Sequence, residues 1–489
     1  LVLVITAAGV LGWRATHPRR APAITLPPLP QASIAVLPFV NMSARPEEDY
    51  FSDGMTEELI TTLSRLPGLR VAARTSSWMF KGRATDVREI GRELGVATVL
   101  EGSIRRTDTR LRISAQLIDA RNGYQMWTQE FDRGEGDVFA IQDDIAEAIV
   151  SALATQFNVH PLPLPPRMTP SPETYELYLR ARYAWRQRTT PALLEAVRLF
   201  REVIRRDPRY APAYAGLGAC YVVLPLYSTH VTSLEMYARA DDAATHAMQL
   251  DSTLSEPYAI LGLVRARRYD WRGAEEAYRT AIARNPNDAT AHQWYGKALT
   301  QQGRVVDGER EVRRALALDP FSAVIRYNLG QTLLVARRYD DAAAALEGAL
   351  AQAPDFVAAR TVLGLVRDAQ GRPRDALREL QAVVHSESRR NADNLALLAY
   401  AYARAGIRDT AQQLLAEALR ARARLPRVSA TDIAVAYLGL GEHDRAFTWL
   451  ERARVEHDSD LEAFVPSPLL GPLRGDPRFV RLETEMHLR

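Results

Sequence analysis

Hydrophobic positions between residues 33 and 157 switch back and forth between strand and helix spacing. Leu111, Ile113, Ala115 and Leu117 alternate with Arg112, Ser114 and Gln116, a period of two that predicts a strand with one buried face. The neighbouring runs TVLEGSIRR and YQMWTQEFD are separated from it by turn signals, TDT at 107–109 and RNG at 121–123, so the three predict an antiparallel meander. SIAVLPFV, from Ser33, predicts a short buried strand, and Leu69 to Ala72 a second. Ser52 and Asp53 are placed to cap a helix running through Leu59, Ile60 and Leu63, with Glu57 and Glu58 in its first turn. Asp86 with Glu89 reads as a capping box for a helix ending near Gly95. A last helix, Asp137 to Phe157, carries Val138, Ile141, Ile145, Ile149 and Leu153 on one stripe. Residues 33–157 therefore predict an α+β domain.

From residue 173 to 460 the pattern is longer. Pro286, Pro320 and Pro354 stand 34 residues apart. Aligned on them, Leu261-Gly262, Tyr295-Gly296, Leu329-Gly330 and Leu363-Gly364 share one position of a first helix. Ala274, Gly308, Ala342 and Ala376 share one position of a second helix, followed four residues later by Tyr278, Val312, Leu346 and Leu380. Small residues are needed where antiparallel helices cross closely, large ones fill the groove a turn later, and proline ends the pair. This register resembles the tetratricopeptide repeat, about eight of them, and predicts an all-α superhelix. Residues 461–489 are expected to cap its last apolar face.

Residues 33–157 resemble the TolB amino-terminal-like domain, through SIAVLPFVNMS, YFSDGMTEELITTLSRLPGLRVAARTSS, VREIGRELGVATVLEGSIRR, LRISAQLIDARNGYQMWTQEFDR and VFAIQDDIAEAIVSAL. In bacterial membrane signalling proteins such a domain precedes tetratricopeptide repeats. The resemblance implies an output domain upstream, a class III nucleotide cyclase, a Ser/Thr kinase or a winged-helix DNA-binding domain, and a sensory or scaffolding part facing the periplasm. No such output domain lies within residues 1–489.

Two proline-rich stretches, 14–32 and 158–172, read as linkers. The apolar run at 1–13, ending in Trp13 before Arg14, reads as a truncated transmembrane helix, against a signal-peptide core or an apolar tail; with the first reading, the resemblance implies a single-pass protein of the bacterial inner membrane with periplasmic folded domains. Thirteen residues span only about 20 Å of a hydrocarbon core roughly 30 Å thick. The positive-inside rule opposes that topology, because Arg14, Arg19 and Arg20 follow the run.

Charge narrows the function. Lys+Arg against Asp+Glu is 3 to 0 over residues 1–30, 14 to 19 over 31–160 and 45 to 40 over 161–489. Nowhere does a concentrated basic face arise, so no nucleic-acid partner is expected. One cysteine, Cys220, excludes a disulfide framework. No phosphate-binding loop, HExxH or nucleophile elbow occurs, so neither catalytic residues nor a cofactor nor a metal is expected within the chain. Arg105, Arg106, Arg110 and Arg112 flank a hairpin and read either as an anion grip or as a charged edge; Trp78, Met79 and Phe80 read either as a contact loop or as a core cover.

The inner face of the superhelix is the candidate site. In the register above it carries Gln293, Lys297 and Gln301, then Tyr327 and Gln331, then Thr361 and Asp368. Such a mixture of amides, one aromatic and two charges suits an extended peptide or protein partner.

Overall fold

The computed structural model describes residues 32–43, 48–66, 68–107, 110–134, 138–157, 170–227, 231–385, 390–424 and 428–488. A six-stranded mixed sheet comes first. Its strands are β1 (Ser33–Val36), β2 (Val40–Asn41), β3 (Arg70–Val71), β4 (Thr98–Arg106), β5 (Arg110–Asp119) and β6 (Gln125–Gly134), ordered β3-β1-β4-β5-β6 with β2 beside β4. The expected meander is present as β4-β5-β6, with Leu100 opposite Leu117 and Ile113 opposite Phe131. It is only part of the sheet, however, because β1 pairs in parallel with both β3 and β4. The reason lies in the connections. Helices α1 (Asp49–Ser64) and α3 (Val87–Leu94), with the short α2 (Arg74–Trp78) before α3, carry the chain back across the sheet, as parallel pairing requires. SIAV is apolar without alternation because both faces of β1 are covered, Ile34 and Val36 on one side and Ala35 on the other.

Helix α1 starts at Asp49, so Ser52 and Asp53 lie inside it and not at its cap. Tertiary and local partners claim both: the Ser52 carbonyl accepts from Thr56 Oγ1 at 2.8 Å, and Asp53 pairs with Lys81 at 2.7 Å. Asp86 does cap α3, accepting from the Arg88 amide, and Gly95 closes that helix at φ 64°. On α4 (Val138–Phe157), Ile141, Ile145, Ile149 and Leu153 are all buried.

Eight antiparallel helix pairs follow. They are α5 (Pro172–Arg186) with α6 (Thr190–Arg206), α7 (Ala211–Val223) with α8 (Ser233–Leu250), α9 (Glu256–Arg267) with α10 (Trp271–Arg284), and α11 (Ala289–Gln301) with α12 (Val305–Leu318). Then come α13 (Ala323–Val335) with α14 (Tyr339–Gln352), α15 (Val357–Ala369) with α16 (Pro373–Val383), α17 (Ala392–Arg404) with α18 (Arg408–Arg422), and α19 (Ala430–Gly439) with α20 (His443–Val455). The first helix of each pair also packs on the first helix of the next, so these odd-numbered helices line one continuous inner surface.

The small-residue register has a direct cause. A Cβ on Gly262 would lie 2.7 Å from the Tyr278 ring, and one on Gly330 would lie 2.6 Å from Leu346 Cγ. The helices cross too closely for any side chain there. A second demand falls on the turn within most pairs, where the backbone turns left-handed: φ is 76° at Gly303, 74° at Gly371, 82° at Gly406 and 76° at Gly441. Tyr269 (59°) and Arg337 (58°) hold the same position in their repeats without being glycine.

The sheet unit and the repeats share one apolar core, in which Met55, Leu59 and Ile145 join Tyr175, Leu179 and Phe200. Polar contacts pin the seam. Asn287 Nδ2 donates to the carbonyls of Ser64 (2.9 Å) and Leu69 (2.8 Å), and Arg70 Nη2 donates to that of Ala317 (2.5 Å). Ser76 Oγ donates to Asp319 at 2.5 Å, and Phe80 packs edge-on against Phe321 at 6.1 Å. Phe80 therefore covers core, which decides the second of its two readings.

The membrane expectation is corrected. Among the described residues no helix is long and apolar enough to cross a membrane. Residues 1–13, on which the single-pass inner-membrane placement and its periplasmic domains rested, lie outside the described residues, as do the upstream linker 14–31 and residues 158–169 of the second linker.

Candidate functional site

The inner surface of the repeats is not empty. After α20 the chain turns back, and its segment from Glu456 to Leu473 lies against the ends of α9 and α11 and touches α15. It contains α21 (Leu461–Phe464) and a 3-10 turn (Pro468–Leu473). Leu461, Val465, Leu470 and Leu473 are fully buried in the same core as the repeats. Burial of four such side chains contributes on the order of 1.5–3 kcal/mol each, before ordering costs.

Charge fixes the register of this segment. Arg267, the last residue of α9, places Nη1 2.5 Å from Glu462 Oε2 and 3.2 Å from the Ser459 carbonyl. Burial is the largest influence and works against the guanidinium charge, but Glu462, Tyr237, Tyr278 and Asp460 together raise the Arg267 pKa. Gln301 Nε2 also donates to Glu462 Oε2, at 3.2 Å. Lys297 faces Asp460 and Glu462; burial and the Arg267 charge lower its pKa to about 8. Farther along, Trp271 Nε1 donates to the Met486 carbonyl at 2.8 Å, and His457 stacks on Tyr269 at 5.5 Å. Helix α22 (Pro477–Glu485) packs on α20 and covers the final repeat.

The seven residues placed on the inner face by their register divide into three groups. Lys297 and Gln301 meet the C-terminal segment, as does Tyr327, whose hydroxyl pKa is raised by burial and by Asp460 and Asp432. Asp368 is buried and turned to the next repeat, accepting from Tyr400 Oη at 2.6 Å and Arg404 Nε at 3.0 Å. Gln293 and Gln331 are half-buried, while Thr361 is buried in α15, the helix that touches the Pro468–Leu473 turn. Arg267 and Glu462 were not singled out by sequence. No local signal joins residues 195 positions apart, and Arg267 stands between Arg265 and Arg268 at the end of its helix with nothing in the sequence to set it apart.

The other candidates resolve as packing. Arg110 and Arg112 both pair with Asp132 at 2.8 Å, Arg106 reaches Glu176 of α5 at 3.6 Å, and Arg105 is exposed. Cys220 is buried and its thiol pKa is driven up by desolvation. Among the described residues no group of His, Cys, Asp and Glu has the geometry of a metal site.

Helix pairs with small residues at the crossings and an inner surface that grips a chain segment define a repeat protein of the interaction class. The tetratricopeptide-repeat family matches residues 261–323 and 327–386, so the chain carries tetratricopeptide repeats. Residues 30–148 match a different family from the one expected, the second domain of HilA/YgeH-like transcriptional regulators. One relative, "Putative adenylate cyclase 3" of Rhizobium meliloti (strain 1021), is 45% identical over 206 residues, covering 42% of this chain and 35% of its own. "Transcriptional regulator HilA" of Salmonella typhimurium is 23% identical over 147 residues, 30% of this chain and 26% of its own. The chain thus spans well under half the length of either relative. Among solved structures, Pseudomonas aeruginosa PilF covers 49% of this chain and 98% of its own at 20% identity and a TM-score of 0.36. The Cut9–Hcn1 hetero-tetramer of the APC/C covers 72% of this chain and 59% of its own at 15% identity and a TM-score of 0.40.

Proposed function

We propose that this chain is the partner-binding region of a bacterial signalling protein, and that it recognises a protein segment on the inner surface of its repeats between α9 and α15. The observation that carries the proposal is the seating of Glu456–Leu473 on that surface, with Glu462 held by Arg267 and Gln301. A groove that binds its own chain through buried leucines and one carboxylate has the chemistry to bind another chain of the same kind. In this reading Lys297, Gln301 and Tyr327 meet the partner once the segment has moved aside, with the half-buried Gln293 and Gln331 beside them, while Asp368 stays with Tyr400 and Arg404. The TolB-like resemblance favours a sensory or scaffolding unit beside the repeats.

A second reading concerns what the region serves. The 45% identity with a protein named as an adenylate cyclase favours an output domain that makes a cyclic nucleotide, with the present residues as its non-catalytic, partner-binding part.

Photo-crosslinking in the native host tests the main proposal. A crosslinking residue replacing Gln293 is expected to trap a partner, and more of it when Glu462→Ala loosens the segment. The same residue replacing Arg272, exposed on α10, is expected to trap none. Equal crosslinks at both positions, unaffected by Glu462→Ala, would overturn it.

A further inference from the structure

Where α2 of the sheet unit meets the end of α5, four arginines gather around two indoles. Arg74 lies over the Trp78 ring at 4.7 Å, and Arg186 over the same ring at 5.9 Å. Arg188 lies over Trp185 at 3.9 Å, and Arg182 over that ring at 5.0 Å. Arg182 and Arg186 converge on one carboxylate, Glu57, and Arg182 continues to Glu256 at 3.1 Å. The rings and Glu57 therefore join all four cations into one cluster.

The donors outnumber their acceptors. Arg186 has 7% of its side chain exposed, yet its Nε and Nη1 have no hydrogen-bond partner. Trp185 Nε1 is buried without a partner as well. The guanidinium groups of Arg74 and Arg188 lie against indole faces, and among the described residues no ion pair is formed by either. Acids stand nearby but are engaged elsewhere: Asp53 with Lys81, and Asp319 with Ser76. A buried donor left unmade costs about 1–3 kcal/mol, and more when charged, so such a set is not retained for packing alone. The cluster also strains against itself. Burial, and then the Arg182 charge, bring the Arg74 pKa down to about 10, while burial brings Arg186 to about 10. Arg188 is lowered by burial and then by Arg182 and Arg74.

We propose that this cluster is a binding site for an oxyanion ligand, a phosphate or a carboxylate, held by Arg74, Arg186, Arg188 and Trp185 Nε1. The guanidinium fork matches both groups two oxygens at a time, and the indole faces keep each fork planar and oriented. Arg74 comes from the sheet unit, Arg186 and Arg188 from the first repeat and its turn. A bound oxyanion would therefore tie the two together, independently of whatever occupies the groove between α9 and α15.

Calorimetric titration of the full chain with inorganic phosphate, and separately with succinate, tests the site, with tryptophan fluorescence as a second readout. Saturable binding of at least one probe is expected, and the tighter probe tells phosphate from carboxylate. Arg74→Gln and Arg188→Gln are each expected to weaken it about tenfold or more. The exposed Arg337→Gln is expected to change nothing. Melting temperature separates ligand binding from a structural role: relief of repulsion leaves it unchanged or raised in Arg74→Gln, whereas a structural arginine would lower it. The proposal is overturned if neither probe saturates the wild-type chain, or if binding survives Arg74→Gln and Arg188→Gln unchanged.

Discussion

Arg267 and Glu462 form an ion pair with 8% and 2% of their side chains exposed, one at the end of an inner helix and the other on the returning C-terminal segment. Breaking such a pair on one side leaves a buried charge uncompensated. Arg267→Met alone is expected to cost about 3–5 kcal/mol in denaturant unfolding. Combined with Glu462→Leu, most of that loss should return. If the double variant is no more stable than the single one, the pair does not hold the segment as described.

The close helix crossings make a second prediction. Gly330→Ala brings a methyl group to within 2.6 Å of Leu346 Cγ, and overpacking of this kind costs about 1–3 kcal/mol. Leu346→Ala in the same chain should make room and reduce that cost. A double-mutant cycle measures the coupling, and additive losses would show that the two residues do not compete for space.

The turn within each pair makes a third. Arg337 holds φ at 58° where other repeats carry glycine, and its side chain is exposed. Arg337→Gly should stabilise the chain by about 0.5–1 kcal/mol, since the left-handed penalty exceeds the entropy that glycine adds to the unfolded state. Gly371→Ala should destabilise it by a similar amount. Thermal melting checks both, and a loss in Arg337→Gly would contradict the reading.

These residues also show how far sequence carries. The 34-residue register, the glycine–bulky pairing and the stripe on α4 were legible because each is local and repeated. The parallel pairs of β1 were not, because strands separated by helices leave no turn signal to reveal their order. Ser52 and Asp53 looked like caps because residue type records the propensity and not the tertiary partner. The contact of Glu462 with Arg267 joins residues that only the curvature of the superhelix brings together, so the inner face could be read while its occupant could not.

Acidity supplies a fourth prediction. Burial, with Asp458 and Asp393 beside it, lifts the Asp460 carboxyl from 3.8 to about 7, although Lys297 and Arg267 pull it down. Its folded pKa is raised, so its contribution to stability is complete below the unfolded value and is lost as pH rises through about 7. Asp432, also raised, acts in the same direction. Melting temperature should therefore fall between pH 5 and pH 7.5 more steeply in the wild-type chain than in Asp460→Asn, windows set by the roughly one-unit spread of such values. Parallel curves for the two proteins would remove Asp460 from the account.

The most direct measurement is fluorescence anisotropy with a labelled peptide of residues 456–473, titrated with the full chain and with Glu462→Ala. Because the inner surface of the wild-type chain already holds this segment, the peptide should bind Glu462→Ala about tenfold or more tighter than wild type. That binding should be lost when Arg267→Gln is added. Equal affinity for all three proteins, or no binding to any, would contradict a groove built to hold a protein segment.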